Sequence, residues 1–413
     1  MTLYSQNKSI NVSSSFGGLS ISENIFILLT KKLLKEIQIG CVTIIFPSGV
    51  ILSGGKQEDE LSAIIYVDNI AAIKGLFSAG AIGFAESYML GYWNCSDLAK
   101  LVEIAALNGE LLAAKLAGKP LNRLINYIEH KFHRNSKSGS KNNIHFHYDL
   151  GNSFYEKWLD KQMMYSSGIY QKNADTLEDA QNNKIAQIIS LLELEDDNEV
   201  LEIGCGWGTL SRKIAEKNTK VHGITLSNEQ LKYAEDAKKI SQSSSRNTLS
   251  LTDYRDINGL YDRIVSVEMI EAVGKEYLPV YFQTIRRCLK MDGVAVIQAI
   301  SIDEKRSRRY NNNPDFIQKY IFPGGFLPTK KMMFEAAENA GLEISYTQYF
   351  GESYARTLNA WRVRFNSNWS DIESLGFDLR FKKMWEFYLS YCEGGFRAQS
   401  IDVGLYVLKP SLR

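Results

Sequence analysis

From residue 198 onward, short apolar runs recur at regular intervals, separated by stretches whose apolar positions follow a helical period. NEVLEIG (198–204), KVHGITL (220–226), NTLSLTDY (247–254), YDRIVSVEM (261–269) and GVAVIQAI (293–300) read as strands. GTLSRKIAEK (208–217) and NEQLKYAEDAKKI (228–240) read as helices between them. Strand and helix alternating at this spacing predict a doubly wound, Rossmann-like α/β sheet with right-handed crossovers. Polar, aromatic and helical sequence at 305–340 interrupts the alternation before EISYTQYF (343–350) and VGLYVLKP (403–410) add two strands. Such an insertion predicts a lid or channel wall.

The first third of the chain has a different texture. CVTIIFPSGV (41–50) and AIIYVDN (63–69) are strand-like, and DNIAAIKGLFSAGAIGFAESYML (68–90) is helix-like, which together predict a small α+β domain. Apolar periodicity stops at RNSKSGSKNN (134–143). The expected organisation is therefore an α+β domain over 1–130, a basic polar linker over 131–143 and the α/β domain over 144–413.

Composition narrows the class. A length of 413 residues suits two or three domains. The 48 Lys and Arg balance 47 Asp and Glu, which excludes chain-wide counterion-release binding to nucleic acid. The N-terminus lacks the features of a secretory signal, and the longest apolar run, GLFSAGAIGF (75–84), falls short of the roughly 20 residues of a spanning helix. Cys41, Cys95, Cys205, Cys288 and Cys392 are widely spaced with no CxxC pair, so a reduced, cytoplasmic setting is expected.

The sharpest motif is LEIGCGWGT (201–209), directly after a strand and opening a helix. Gly204, Gly206 and Gly208 allow a tight turn and close backbone approach to a ligand. Thr209 stands where a dinucleotide fingerprint has its third glycine, which favours S-adenosylmethionine over a nicotinamide or flavin nucleotide. Past the second strand, GITLSNEQ (223–230) offers Thr225, Ser227 and Gln230 as polar contacts, with a capping box of Ser227 and Gln230 as the bland reading. Glu271 lies at the carboxyl edge where such sheets bind ligands, and Glu268 is a weaker candidate for a cofactor contact. His130, His133, His145 and His147 form a histidine cluster, but without regular spacing or a nearby cysteine no metal site is expected.

Several blocks in order, HYDLGNSFYEKWLDKQMMYSSGIY (147–170), LEIGCGWGT, GITLSNEQ, DRIVSVEMIEAVG (262–274), FIQKYIFPGGFLP (316–328) and CEGGFRAQ (392–399), resemble the cyclopropane-fatty-acyl-phospholipid synthase family and its mycolic acid relatives. GFAESYMLGYW (83–93) looks like the preceding domain of the longer bacterial members.

The resemblance implies a class I S-adenosylmethionine-dependent methyltransferase domain that acts on the cis double bond of an acyl chain in a membrane phospholipid. It implies a bound bicarbonate ion as base, in a cage of Ser167, Glu271, Gln298, Ile300 and Tyr354. Cofactor contacts carried over by motif are Tyr165, Ser166, Glu202, Gly204, Gly206, Trp207, Gly208, Thr225, Leu226, Ser227, Gln230, Tyr254 and Arg255. Ser167 replaces the usual cysteine and Gln298 a common histidine, so a methyl or methylene branch is the alternative to a ring. A catalytically degenerate lipid or cofactor binder is the alternative from another class. Cys392, in a position often assigned to catalysis, is not required by methyl transfer from a sulfonium to an alkene.

A phospholipid substrate implies peripheral docking on the inner face of the membrane. Lys131, Arg134, Lys137 and Lys141 are an expected contact with an anionic bilayer, with a solvated linker as the alternative. The resemblance also suggests a homodimer.

Overall fold

A computed structural model describes residues 12–13, 21–56, 60–115, 135, 139, 150–240, 244–312 and 314–411. The histidine cluster and the four basic residues of the 131–143 segment lie outside the described residues.

The chain folds as two compact units. One holds the described residues up to 115 together with Gly376–Ser400, and the other those from 135 to Leu375 and from Ile401 onward. The sequence pattern runs the α/β domain unbroken to the C-terminus, whereas the structure returns 376–400 to the first unit. The reason is packing: helix Leu379–Arg397 buries Trp385, Tyr388, Leu389 and Phe396 there. A Cβ on its Gly394 would lie 2.7 Å from the carbonyl oxygen of Ala99, so glycine permits the close approach to helix Leu98–Leu107.

In the first unit, strands β1 (Val12–Ser13), β2 (Cys41–Ile45), β3 (Ile51–Gly55), β4 (Ser62–Val67) and β5 (Trp93–Cys95) form one sheet in the order β1-β3-β2-β4-β5. The helical run after β4 is not one rod. Helix Ala71–Met89 breaks at Gly80 (φ 64°, ψ −143°) and folds back, so that a Cβ on Gly83 would sit 2.4 Å from the carbonyl oxygen of Gly75.

The second unit is built on strands β6 (Glu199–Ile203), β7 (Lys220–Thr225), β8 (Asn247–Leu251), β9 (Tyr261–Val267), β10 (Leu289–Ile302), β11 (Leu342–Tyr349) and β12 (Ile401–Pro410). Their order is β11-β12-β10-β9-β6-β7-β8. The pairs β8–β7, β7–β6, β6–β9 and β9–β10 are parallel, and β12 runs antiparallel to both β10 and β11. Apolar side chains cover both faces, with Ile203, Ile264 and Ile297 in one core and Val200, Val265 and Val296 in the other. Near-continuous apolar runs are what a parallel sheet buried on both faces requires. The expected insertion appears as helices Glu304–Asn312, Phe316–Tyr320 and Lys330–Asn339 between β10 and β11. Among the described residues no helix is long and apolar enough to cross a membrane.

Candidate active site

The strand β6 runs straight into the glycine turn, where Gly204, Gly206 and Gly208 all have positive φ. A Cβ on Gly208 would meet Ala234 Cβ at 2.8 Å, whereas a Cβ on Gly206 would meet nothing within 4 Å. Gly208 is therefore needed for packing, while Gly206 presents bare backbone to open space. Beneath the turn, Glu202 is fully buried and accepts a hydrogen bond from the Ser211 hydroxyl. Burial pushes its carboxyl up to about 7.

The segment before the sheet lies across this turn. The Trp207 indole donates to Asn152 Oδ1 at 2.7 Å, and the Thr209 hydroxyl donates to the Gln162 carbonyl at 2.7 Å. Tyr165 sits among Tyr155, Trp158 and Trp361 with ring centroids 5.4–5.5 Å away. Gln181 donates to the Ser166 carbonyl at 2.9 Å, and the fully buried Lys184 donates to the Ser166 hydroxyl at 2.7 Å. These bonds fix the backbone that presents Ser167.

At the end of β7, Ser227 caps the next helix by accepting from the Gln230 amide at 3.2 Å. The reciprocal half of a capping box is absent, because the Gln230 side chain accepts from the Thr225 hydroxyl instead. Leu226 lies between them, half-buried. After β8, Arg255 grips both oxygens of Asp253 at 2.8 and 2.6 Å. The Tyr254 hydroxyl beside it is buried without a hydrogen-bond partner, and burial pushes it up to about 12.

Two carboxylates follow β9. Glu268 has φ +48°, a left-handed conformation that few non-glycine residues adopt. Its Oε1 accepts from the Ser167 backbone amide at 2.8 Å and from Gln298 Nε2 at 2.7 Å, and its Oε2 accepts from the Tyr354 hydroxyl at 2.5 Å. Glu271 Oε1 accepts from the Ile300 amide at 2.6 Å, while its Oε2 is buried with no partner. The Glu271 carbonyl accepts from the Phe326 amide at 2.9 Å, which ties the FPGGF loop of the insertion to the site. Burial first, and then the neighbouring Glu268, push Glu271 up to about 8. Burial raises Glu268 too, against the opposing effect of its donors and of Lys184.

The structure brings Ser167, Gln298, Ile300, Glu271 and Tyr354, the residues expected to cage an anion, together around the carboxylates of Glu268 and Glu271. Glu268, not Glu271, gathers the donors. The Ser167 hydroxyl, expected to face an anion, donates to the Gly168 carbonyl at 2.9 Å, and the residue contributes its backbone amide instead. Glu271 is half-buried, with its Oε2 shielded from solvent. Cys392 stands half-buried on helix Leu379–Arg397 of the first unit. Among the described residues no cluster of three His, Cys, Asp or Glu side chains is arranged to hold a metal.

The family model described as mycolic acid cyclopropane synthetase matches residues 135–405. The chain belongs to that family. This cyclopropane synthetase family member is 35% identical to the Escherichia coli cyclopropane-fatty-acyl-phospholipid synthase, covering 86% of the chain and 89% of the relative. It is also 35% identical to a tuberculostearic acid methyltransferase of Mycobacterium tuberculosis, covering 80% and 79% respectively. Among solved structures, a Mycobacterium tuberculosis cyclopropane synthase superposes with a TM-score of 0.61 at 29% identity, over 65% of this chain and 97% of that one. A mycolic acid cyclopropane synthase complexed with SAH and CTAB gives a TM-score of 0.61 at 28% identity, over 65% and 97%. The protein is an S-adenosylmethionine-dependent methyltransferase of the class I fold, within a family of cyclopropane synthases and related lipid methyltransferases.

The residues of this methyltransferase fit the cofactor. Bare backbone at Gly206, the unpartnered buried hydroxyl of Tyr254 and the strand-end loops of β6 to β9 supply a shaped, partly polar edge for it. The cage does not fit bicarbonate as the resemblance implies. Its donors, the backbone amides of Ser167 and Ile300, Gln298 Nε2 and the Tyr354 hydroxyl, are already engaged by Glu268 and Glu271. A third anion would meet the Glu268 carboxylate, which already takes the Ser167, Gln298 and Tyr354 donors.

Proposed function

We propose that this methyltransferase alkylates the cis double bond of an unsaturated acyl chain in a membrane phospholipid and forms a cyclopropane ring. The observation that carries the reading is the pair of carboxylates, Glu268 and Glu271, held by backbone and side-chain donors at the carboxyl edge of the sheet after the glycine turn. When bound, S-adenosylmethionine supplies an electrophilic methyl group on a cationic sulfur. An alkene is a weak nucleophile, and its methylation places positive charge on the acyl chain before a proton is lost. Such a reaction needs buried negative charge and exclusion of water. Glu268 supplies the charge, and Tyr165, Trp158, Trp361 and Phe322 supply apolar surroundings. The decisive experiment is mass spectrometry of lipid from cis-unsaturated liposomes incubated with the protein and methyl-labelled cofactor, with chromatography against standards. A labelled chain without a double bond establishes the ring.

A second reading is a methyl- or methylene-branched product. It draws on Gln298 and Ser167 and on the similarity to a tuberculostearic acid methyltransferase. A labelled chain that retains a double bond selects it, and no label on lipid selects the degenerate-binder alternative.

Peripheral binding to an anionic bilayer is part of the proposal. On helix Ile21–Leu34 and its extension, Ile25, Leu28, Lys32 and Lys35 share one exposed face, an apolar end followed by a cationic one. That arrangement supports interfacial docking. Cytoplasmic placement and a homodimer belong to the same proposal.

A further inference from the structure

We propose that the Glu268 carboxylate is the resident anion of this site and the base that removes the proton from the methylated acyl chain, so that turnover is independent of bicarbonate. The inference rests on the methyltransfer reading above and identifies the group that completes it.

Three donors from three different elements converge on one side chain. The Ser167 amide comes from the segment over the glycine turn, Gln298 from β10 and Tyr354 from helix Gly351–Ser367. A carboxylate and a bicarbonate ion present the same planar pair of oxygens, so donors arranged for one serve the other. Here the side chain already occupies them. The Glu268 backbone adopts φ +48°, and its amide donates to the Gln298 carbonyl at 2.8 Å. A left-handed non-glycine residue beside a functional cluster marks conformational strain retained for position. The second Gln298 atom, Oε1, is left without a donor, which is a cost accepted in order to aim Nε2 at Glu268.

The step balances without an oxidant or reductant. The π pair of the alkene forms the bond to the transferred carbon, and the broken carbon–sulfur bond leaves its pair on sulfur, giving S-adenosylhomocysteine. The cationic chain then loses one proton, the C–H pair closes the ring, and the proton goes to a carboxylate oxygen of Glu268. Solvent takes it when the product leaves.

Two measurements on the full chain test the proposal. The first uses no lipid. Thermal unfolding is followed with S-adenosylhomocysteine present while sodium bicarbonate is titrated against a chloride control. The wild type shows no bicarbonate-specific shift, whereas Glu268→Gly, which suits the left-handed backbone and opens the donor cluster, gains a saturable rise. A saturable rise in the wild type overturns the assignment whatever the enzyme's substrate. The second measures methyl transfer to cis-unsaturated liposomes in carbon-dioxide-free buffer. Wild-type turnover changes less than twofold on adding bicarbonate, Glu268→Gly falls at least 100-fold, and bicarbonate restores at least 10-fold of that loss. Wild-type dependence on bicarbonate, or a Glu268→Gly enzyme of undiminished rate, refutes the role as base. If no lipid is labelled while the unfolding data match expectation, the methyltransfer reading fails and the anion assignment stands.

Discussion

Tyr354 donates its hydroxyl to Oε2 of Glu268 across 2.5 Å, joining helix Gly351–Ser367 to the end of β9. Its ring also meets Trp361 edge-on, with centroids 6.1 Å apart. Tyr354→Phe keeps the ring and removes only the donor. A hydrogen bond to a charged group contributes about 1.5–3 kcal/mol, so kcat should fall by roughly 10- to 100-fold. The Kd for S-adenosylmethionine, measured by calorimetry, should change less than about threefold, since the bond acts on Glu268 and not on the glycine turn. An equal loss in binding and rate would contradict this.

Glu271 gives a pH signature. Burial and the nearby Glu268 push it from 4.5 to about 8, so the folded protein keeps a proton that the unfolded chain releases between those values. Stability at this group is therefore full below 4.5 and declines as pH rises to about 8. Glu271→Gln removes the titration. Without cofactor, the variant should gain on the wild type across that interval, by up to about 4 kcal/mol. A pH-independent difference in unfolding free energy would refute the shift. The same variant should lose turnover almost completely while still binding cofactor.

The sheet was legible because parallel strands buried on both faces write themselves as apolar runs, and every strand from β6 to β12 overlaps a run read from sequence. Helix Leu379–Arg397 was assigned with its sequence neighbours because nothing in an amphipathic helix names the core it joins. The site was legible as a list but not as a hierarchy. Ser167, Gln298, Ile300, Glu271 and Tyr354 came from motif blocks, yet the centre of donation depends on a left-handed backbone at Glu268, which no spacing rule reveals for a glutamate. Lys184, between the recognised motif blocks and buried in full, carried no signal beyond its place on the buried face of helix Leu177–Leu191, beside Ala180, Gln181, Ile185 and Ile188.

The two glycines of the turn should separate binding from folding. Gly206→Ala adds a methyl that meets no protein atom within 4 Å, at φ +53°. It should cost about 1 kcal/mol of stability from the left-handed backbone and weaken cofactor binding at least 10-fold by crowding the ligand side. Gly208→Ala at φ +77° forces its methyl to 2.8 Å from Ala234 Cβ. Its main effect should be unfolding, by about 2–3 kcal/mol. Denaturant titration beside calorimetry distinguishes the two.

Exposed apolar residues on helix Ile21–Leu34 should matter for lipid access rather than for folding. Ile25 and Leu28 are 51% and 57% exposed, so Asp at either position costs little stability. On vesicles rich in anionic lipid the double substitution should reduce bound protein several-fold, while binding of S-adenosylmethionine in solution stays unchanged. Unaltered vesicle sedimentation would remove this face from the docking surface.

Lys184 is a fully buried cation among the acids of the α/β unit. It donates to Ser166, and the carboxylates of Glu268, Asp160 and Glu202 favour its charge, yet burial outweighs them and brings it down to about 8. Removing one partner of a buried charge group leaves the others uncompensated, at a cost of about 3–5 kcal/mol. Lys184→Met, similar in volume, should therefore destabilise the protein by that order. Because the folded-state value lies below 10.5, the lysine's own contribution to stability rises as pH climbs from about 8 to 10.5. The gap between wild type and Lys184→Met should accordingly widen over that interval. Unfolding curves that run parallel from pH 8 to pH 10 would show that Lys184 does not titrate as its burial requires.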